Sequence, residues 1–336
     1  MRSRLTLIAA LLAAMSLIAA CGSNSGGDDK SSSGDVLHVS VLGVQGQYCV
    51  IPYGEKLGLY SDHGVKLEHE TLQPTQTVGA LLASGKLDVG ITNAYTVMQL
   101  RSEGSPIKAF MGQYQNQASV VVVPASSDIT SLADLKGKTV ASSASTSGQL
   151  FPDLLKKNGV DPKSVKQVTV QTSALAQSLA SGRADAITGA KYAEAISAAD
   201  ALGKPVRTLL YSDLGMPGIT VVYATSDKLM KADPKKLEGF VAATQAAIEA
   251  AKKDPQACID AQKSVQGTAG LPDDATLLKQ LEAALPLLST PNTKGHPIGW
   301  MSPVDWNQSG ALAKASLGLD AGFDVSSAYT DQFTEK

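Results

Sequence analysis

Leu82-Ala83-Ser84-Gly85-Lys86-Leu87-Asp88 recurs downstream as Leu179-Ala180-Ser181-Gly182-Arg183-Ala184-Asp185, and each copy runs into a short apolar stretch, residues 89–91 and 186–187. The physics of one copy is readable. An amphipathic helix stops at the glycine, which takes the left-handed conformation that other residues resist, and a base follows where the helix dipole is negative. The apolar run after it suits a buried parallel strand. Each copy is therefore a helix-to-strand step. Five identities and a Lys/Arg exchange between the copies predict two similar α/β lobes with a cleft between them.

The N-terminus carries an address. Arg2 and Arg4 precede a run over residues 5–20 that is apolar except for Thr6 and Ser16, and small residues lead into Cys21. The run falls short of the ~20 apolar residues a bilayer span needs and no stop-transfer charges come after it, so it reads as a secretory signal. Ile18-Ala19-Ala20-Cys21 resembles the lipobox of bacterial lipoproteins, which implies cleavage before Cys21 and a lipid on its sulfur. Residues 22–35 are too polar to bury a core and read as a tether. It reaches roughly 20 Å. The expected location is the outer face of the cell membrane, or the periplasm.

Length and charge limit the possible architectures and partners. The 336 residues, less the signal, suffice for two lobes of ordinary size. Lysine and arginine number 29 against 31 acids, a net charge of −2 with no basic stripe, which argues against nucleic acid as a partner. Beyond Cys21 the cysteines are Cys49 and Cys258, and the pair reads equally well as a disulfide or as two buried thiols. No His/Cys cluster has metal-ligand spacing, so neither a metal nor a cofactor is expected.

Strands and helices alternate along the body. Strands are expected at 36–44, 65–70, 88–92, 107–111 and 119–123, with helices near 51–59, 75–84 and 94–102 among them. After a crossover at 124–136 the pattern repeats. Strands at 139–142, 165–171, 185–188 and 206–211 alternate with helices at 149–158, 174–181 and 192–202, and a strand at 219–225 carries the chain back. Alternation of this kind predicts mostly parallel sheets covered by helices. In the tail, Leu237, Phe240, Val241, Ile248 and Ala251 mark one face of a long helix, and Ser302-Pro303-Val304-Asp305 opens another with an N-cap, a Pro and an acid. The expected division is a signal at 1–20, lipidated Cys and tether at 21–35, a first lobe at 36–123 plus 219–336, and a second at 124–218. Crossings near Pro124 and Gly218 would act as hinges.

Several motifs carry a family resemblance. Gly58-Leu59-Tyr60-x-x-His63-Gly64-Val65-x-Leu67, the stretch 82–90, Leu132-x-Asp134-Leu135-Lys136-Gly137-Lys138, Lys157-x-Gly159-Val160-Asp161-Pro162 and Gly299-Trp300-Met301-x-Pro303-x-x-Trp306 occur in order. Together they resemble the extracytoplasmic solute-binding proteins of ABC importers, in the subfamily for alkanesulfonates, taurine, nitrate and thiamine pyrimidine precursors. The resemblance implies a type II periplasmic-binding-protein fold, a small-molecule ligand, and delivery to a permease and its ATPase. The same fold family includes an enzyme that makes the thiamine pyrimidine through a cysteine-rich motif and a histidine. This chain has no cysteine cluster, and His38, His63, His69 and His296 are scattered. Gly137-Lys138-Thr139 mimics a P-loop end, but Leu132 stands where that motif needs its first glycine, and no Gly-x-Ser-x-Gly elbow occurs. A binding protein is expected rather than an enzyme. A ligand-binding regulator of a membrane sensor is the alternative.

In open α/β sheets ligands sit beyond the carboxyl ends of strands. Applied here, that rule nominates Gln47 and Tyr48 after the first strand, Asn93 and Tyr95 after the third, and Gln113 and Tyr114 after the fourth. In the second lobe it nominates Ser145, Thr146, Ser147, Lys191 and Tyr192. Of nine tyrosines, four fall in these loops, where phenol rings can stack on a flat ligand and hydrogen-bond through their hydroxyls. The hydroxyl run before a helix suits an oxygen-bearing group. The expected ligand is a planar heterocycle or aromatic acid, or a sulfonate-type anion.

Overall fold

The computed structural model describes residues 36–41, 44–71, 76–267 and 269–335. The expected signal at 1–20 and Cys21 with its tether lie outside the described residues.

In chain order the elements are β1 (Val36–Val41), α1 (Val50–Lys56), α2 (Leu59–Asp62), β2 (Lys66–Thr71), α3 (Gln76–Ser84), β3 (Gly90–Asn93), α4 (Ala94–Ser102) and β4 (Ile107–Tyr114). Then come β5 (Ser119–Pro124), β6 (Thr139–Ser142), α5 (Thr146–Lys157), β7 (Lys166–Thr169), α6 (Leu175–Ala180), β8 (Ala186–Ala190), α7 (Glu194–Leu202) and β9 (Val206–Leu210). The chain ends with β10 (Val221–Ser226), α8 (Asp227–Ala232), α9 (Pro234–Lys253), α10 (Pro255–Gln266), α11 (Asp274–Ala284) and α12 (Pro303–Ser316).

Two sheets of one design result. β1 pairs with β2 in parallel, and a parallel bridge from Val39 to Val89 joins them to β3, which continues through β10 to β4. The order is therefore β2-β1-β3-β10-β4, with β10 alone reversed. The second sheet runs β7-β6-β8-β5-β9, with β5 alone reversed. Four strands of each sheet point the same way, as the α/β alternation predicts. Each reversed strand adjoins a passage between the sheets.

The repeated heptad sits at equivalent places. α3 ends into Gly85 at φ 73° and α6 into Gly182 at φ 71°, both left-handed. In both copies the closing aspartate then ties its strand to the neighbour. Asp88 accepts the His38 N–H at 2.9 Å while its own N–H donates to the His38 carbonyl. Asp185 does the same with Thr139 at 2.8 Å. The carboxylate satisfies an N–H that the start of a sheet ladder would leave unpaired.

One expectation is corrected. The sequence pattern puts 119–123 in the first lobe with the crossing at Pro124, but β5 hydrogen-bonds to β8 and β9 in the second sheet. The chain therefore crosses between Tyr114 and Ser119 and returns near Thr220. β5 is apolar on both faces because it is covered on both: Val121 and Val123 pack with the α5 side chains Leu150, Phe151 and Leu154, while Val120 and Val122 pack with Leu175, Leu179 and Ala198 of α6 and α7. Such a run names no sheet partner in advance.

The tail forms as its periodicity predicts. Leu237, Phe240, Val241, Ile248 and Ala251 of α9 are all buried against the first sheet. Ser302 caps α12 by accepting from Val304 and Asp305 N–H groups. Asp305 does more than face the helix dipole: it is buried and accepts from Thr290 Oγ1 at 2.6 Å and Asn292 Nδ2 at 2.7 Å. Cys49 and Cys258 are joined by a disulfide, which fastens the turn before α1 to α10. Among the described residues no helix is long and apolar enough to cross a membrane.

Candidate functional site

The strand ends of the two sheets face each other. Asn93 ends β3 and caps α4, its Oδ1 accepting the Tyr95 N–H at 3.1 Å, which fixes the amide so that Nδ2 reaches Thr146 Oγ1 at 3.1 Å on the first turn of α5. A second link joins the sides farther out, where Lys279 of α11 pairs with Asp200 of α7 at 3.0 Å.

Beneath the Asn93–Thr146 bond lies a cavity of about 150 Å³. Its walls include Asn93, Gln117, Ser145, Thr146, Ser147, Tyr192, Glu194 and Thr220. A wider cavity of about 430 Å³ opens on the other side of the same bond, between α4, the start of α5 and the end of α12, with Tyr95, Gln99 and Gln149 in its walls.

The start of α5 is not capped by a side chain. Instead Ser143, Ser145 and Ser147 bond to one another, each step 2.9 Å, and Tyr211 donates to the Ser147 carbonyl. The first turn of the helix, with Thr146 and Ser147, borders the 150 Å³ cavity. Helix α5 also begins earlier than the 149–158 expected from sequence, because Thr146 and Ser147 belong to its first turn.

The nominated residues fall into three groups. Asn93, Ser145, Thr146, Ser147 and Tyr192 line the 150 Å³ cavity, and Tyr95 lines the wider one. Gln47, Gln113 and Tyr114 meet at a third, much smaller cavity, and the Tyr114 ring contacts that of Tyr192 with centroids 5.0 Å apart. Tyr48 stands by these rings, and burial pushes its phenol up to about 12, against a partial lowering by the Gln47 amide. Lys191 is outside the groups: its backbone N–H is tied to the Ala118 carbonyl, and its side chain lines none of these cavities.

Gln117, Glu194 and Thr220 of the cavity wall escaped the sequence reading, and the first two make the more specific contacts. Gln117 is fully buried and spans the passage between sheets, donating from Nε2 to the Tyr95 hydroxyl at 3.0 Å and accepting the Ser119 N–H through Oε1. Glu194 opens α7 and turns back into the cavity wall, where its Oε2 accepts the Ala190 N–H at 2.6 Å. Burial raises its carboxyl above the usual range, while that N–H and its own backbone hold it down. Gly189 permits the approach, since a Cβ there would lie 2.3 Å from the Glu194 Cβ. An acid in a first helical turn right after a strand end was the available signal, but it also suits the helix dipole alone.

Residues 46–258 match the family model described as NMT1/THI5 like. A Haemophilus influenzae protein named for thiamine biosynthesis is 35% identical over 127 residues, which span 37% of this chain but only 40% of that protein. The riboflavin-binding protein RibY of Chloroflexus aurantiacus is 24% identical over 82% of this chain and 79% of its own length. Among solved structures, the alkanesulfonate-binding protein SsuA of Xanthomonas axonopodis pv. citri, bound to MOPS, superposes with a TM-score of 0.63 at 17% identity. That match covers 88% of this chain and 98% of SsuA. The likeness carries the fold: this chain has the architecture of periplasmic binding proteins.

Proposed function

The chain belongs to the NMT1/THI5-like family, and from that premise we propose that it is the extracytoplasmic solute-binding protein of an ABC importer, taking up a planar, neutral or cationic heterocycle. The observation that carries the choice of ligand is the make-up of the 150 Å³ cavity. Among the described residues its walls hold one carboxylate, Glu194, amides, hydroxyls and the Tyr192 ring, and no lysine, arginine or histidine. A sulfonate or carboxylate would meet Glu194 with like charge and find no cation to offset it. A flat ring with an amino or ring N–H group instead gives Glu194 a donor, Asn93 and Gln117 partners, and Tyr192 a face. The planar branch of the expectation is kept, and the sulfonate and aromatic-acid branches are set aside.

Binding rather than turnover is favoured by the same walls. Cys49 and Cys258 are consumed in the disulfide, His69 is engaged with Glu55, and among the described residues no histidine lines either cavity of the cleft. The lobes would divide at 115–118 and 217–220, with the Asn93–Thr146 bond and the Lys279–Asp200 pair made on closure. Cys21 would carry the lipid that keeps the protein beside its permease, and a Cys21→Ser change would then release it from membranes.

Calorimetry with riboflavin, a 4-aminopyrimidine, an alkanesulfonate and benzoate tests the ligand assignment. A heterocycle should bind, and Glu194→Gln should weaken it about tenfold to a hundredfold, the worth of a hydrogen bond to a charged acceptor. Tight binding of the sulfonate alone sinks the assignment. Small-angle scattering with the bound heterocycle should report a more compact particle than without it.

A further inference from the structure

The third cavity is lined by Gln47, Gln113 and Tyr114 together with Val50, Ile248, Leu281 and Leu285. Its polar members are among the most deeply buried in the protein, at 2%, 3% and 1% exposure. Yet Gln113 Oε1, the Tyr114 hydroxyl and both amide atoms of Gln47 have no partner at hydrogen-bond geometry among the described residues, although the Gln47 amide lies near the Tyr48 hydroxyl. Buried polar groups left this way weaken a fold, and four from three neighbouring side chains are retained where something else supplies their partners.

We propose that this cavity is a ligand subsite, which receives the hydrogen-bonding edge of the heterocycle when the Tyr114–Tyr192 pair separates. The proposal rests on the heterocycle reading of the cleft. The cavity measures about 10 Å³, the size of one water at most. Tyr114 lines this cavity and touches Tyr192, which lines the 150 Å³ cavity, so the pair of rings stands between the two spaces. Gln47 presents an acceptor beside a donor, and Gln113 presents an acceptor. The two glutamines with a phenol match a ring edge in which N–H and C=O, or amino and ring nitrogen, alternate: a cyclic amide, an imide or an aminopyrimidine. The aliphatic remainder suits the faces of the same ring.

The test compares probes that keep or lose that edge. Riboflavin and its N3-methyl derivative, and a 4-aminopyrimidine and its dimethylamino counterpart, are titrated into the full chain, into Gln113→Leu and into Gln47→Leu. The parent should prefer the unmethylated partner at least tenfold, and each variant should erase the preference. Each variant should also melt higher than the parent when free, because an unpartnered amide has been removed. Variants that melt lower and keep the preference mean a cavity built around a structural water, and overturn the subsite. Equal binding of both members of each pair by the parent overturns it too, with the cleft reading intact. If none of the four probes binds, the cleft reading falls and takes the subsite with it.

Discussion

The two sheets share a strand order, a reversed strand and a heptad, but they are stabilised differently. In the first, Asp88 is half-buried against His38, and the sheet is backed by α9–α12, by a disulfide, and by aromatic contacts centred on Phe240. In the second, the matching Asp185 is exposed, the edge strand β7 is exposed along its whole length, and the core divides into two clusters on either side of the sheet. The helix-stop glycine and its aspartate encode a local geometry that works in both settings. How much that geometry contributes depends on what covers it.

The largest expected difference comes from the bridge, which lies wholly in the first half. Cys49→Ala with Cys258→Ala should cost about 2–5 kcal/mol. Both tryptophans, Trp300 and Trp306, lie after β10, so tryptophan fluorescence in urea reports the first half while far-ultraviolet dichroism reports both. The fluorescence midpoint should fall and a second-lobe component of the dichroism should stay. If the two signals move together, the halves unfold as one unit and the contrast is one of geometry alone.

Asp88→Ala and Asp185→Ala remove the same pair of atoms in different surroundings. The half-buried copy should cost about 2 kcal/mol and the exposed one under about 1 kcal/mol, read from chemical denaturation. Equal losses would mean that burial does not scale this bond. Gly85→Ala and Gly182→Ala sharpen the comparison from the other side. Their φ values differ by little, and a Cβ at either would meet no atom of the described residues within 4 Å, so both should cost about 1 kcal/mol from backbone strain alone.

The smallest expected effect is one of sign. Burial raises the Asp331 carboxyl, in the first half, to about 6, with the Met301 N–H opposing and Glu335 adding to the rise. The folded state then holds a proton that the unfolded chain has lost, so this stabilisation is complete below the ordinary value of 3.8 and fades as pH rises through about 6. Asp134, in the second half, is held below its ordinary value by Thr130 and Ser131, so its contribution is present above that value and fades as pH falls. Melting curves across pH should show Asp331→Asn flattening a decline and Asp134→Asn flattening a rise. The reverse pattern would refute the assignment.

Much of this was legible in the sequence because it is local. α4 and β6 have the expected bounds, and the α12 cap and the α9 stripe form as their patterns require. The sheet assignment of β5 was not legible, because a strand apolar on both faces carries no record of its partners. The strand-end rule named Asn93, Ser145–Ser147 and Tyr192, which line the 150 Å³ cavity and whose positions depend on where a strand stops. It passed over Glu194, whose place in the wall depends on a carboxylate folding back over Gly189, and Gln117, which matters only because the chain changes sheets there.

The disulfide joins residues 209 apart, and all of the second sheet lies within the span it closes. Residues 49–258 therefore form a covalent ring that starts and ends in the first lobe and carries the second lobe within it. A protease that cuts once anywhere from β5 to β9 leaves a single molecule, whose two fragments part only on reduction. New termini opened in that stretch would leave the halves of the first lobe stapled to each other.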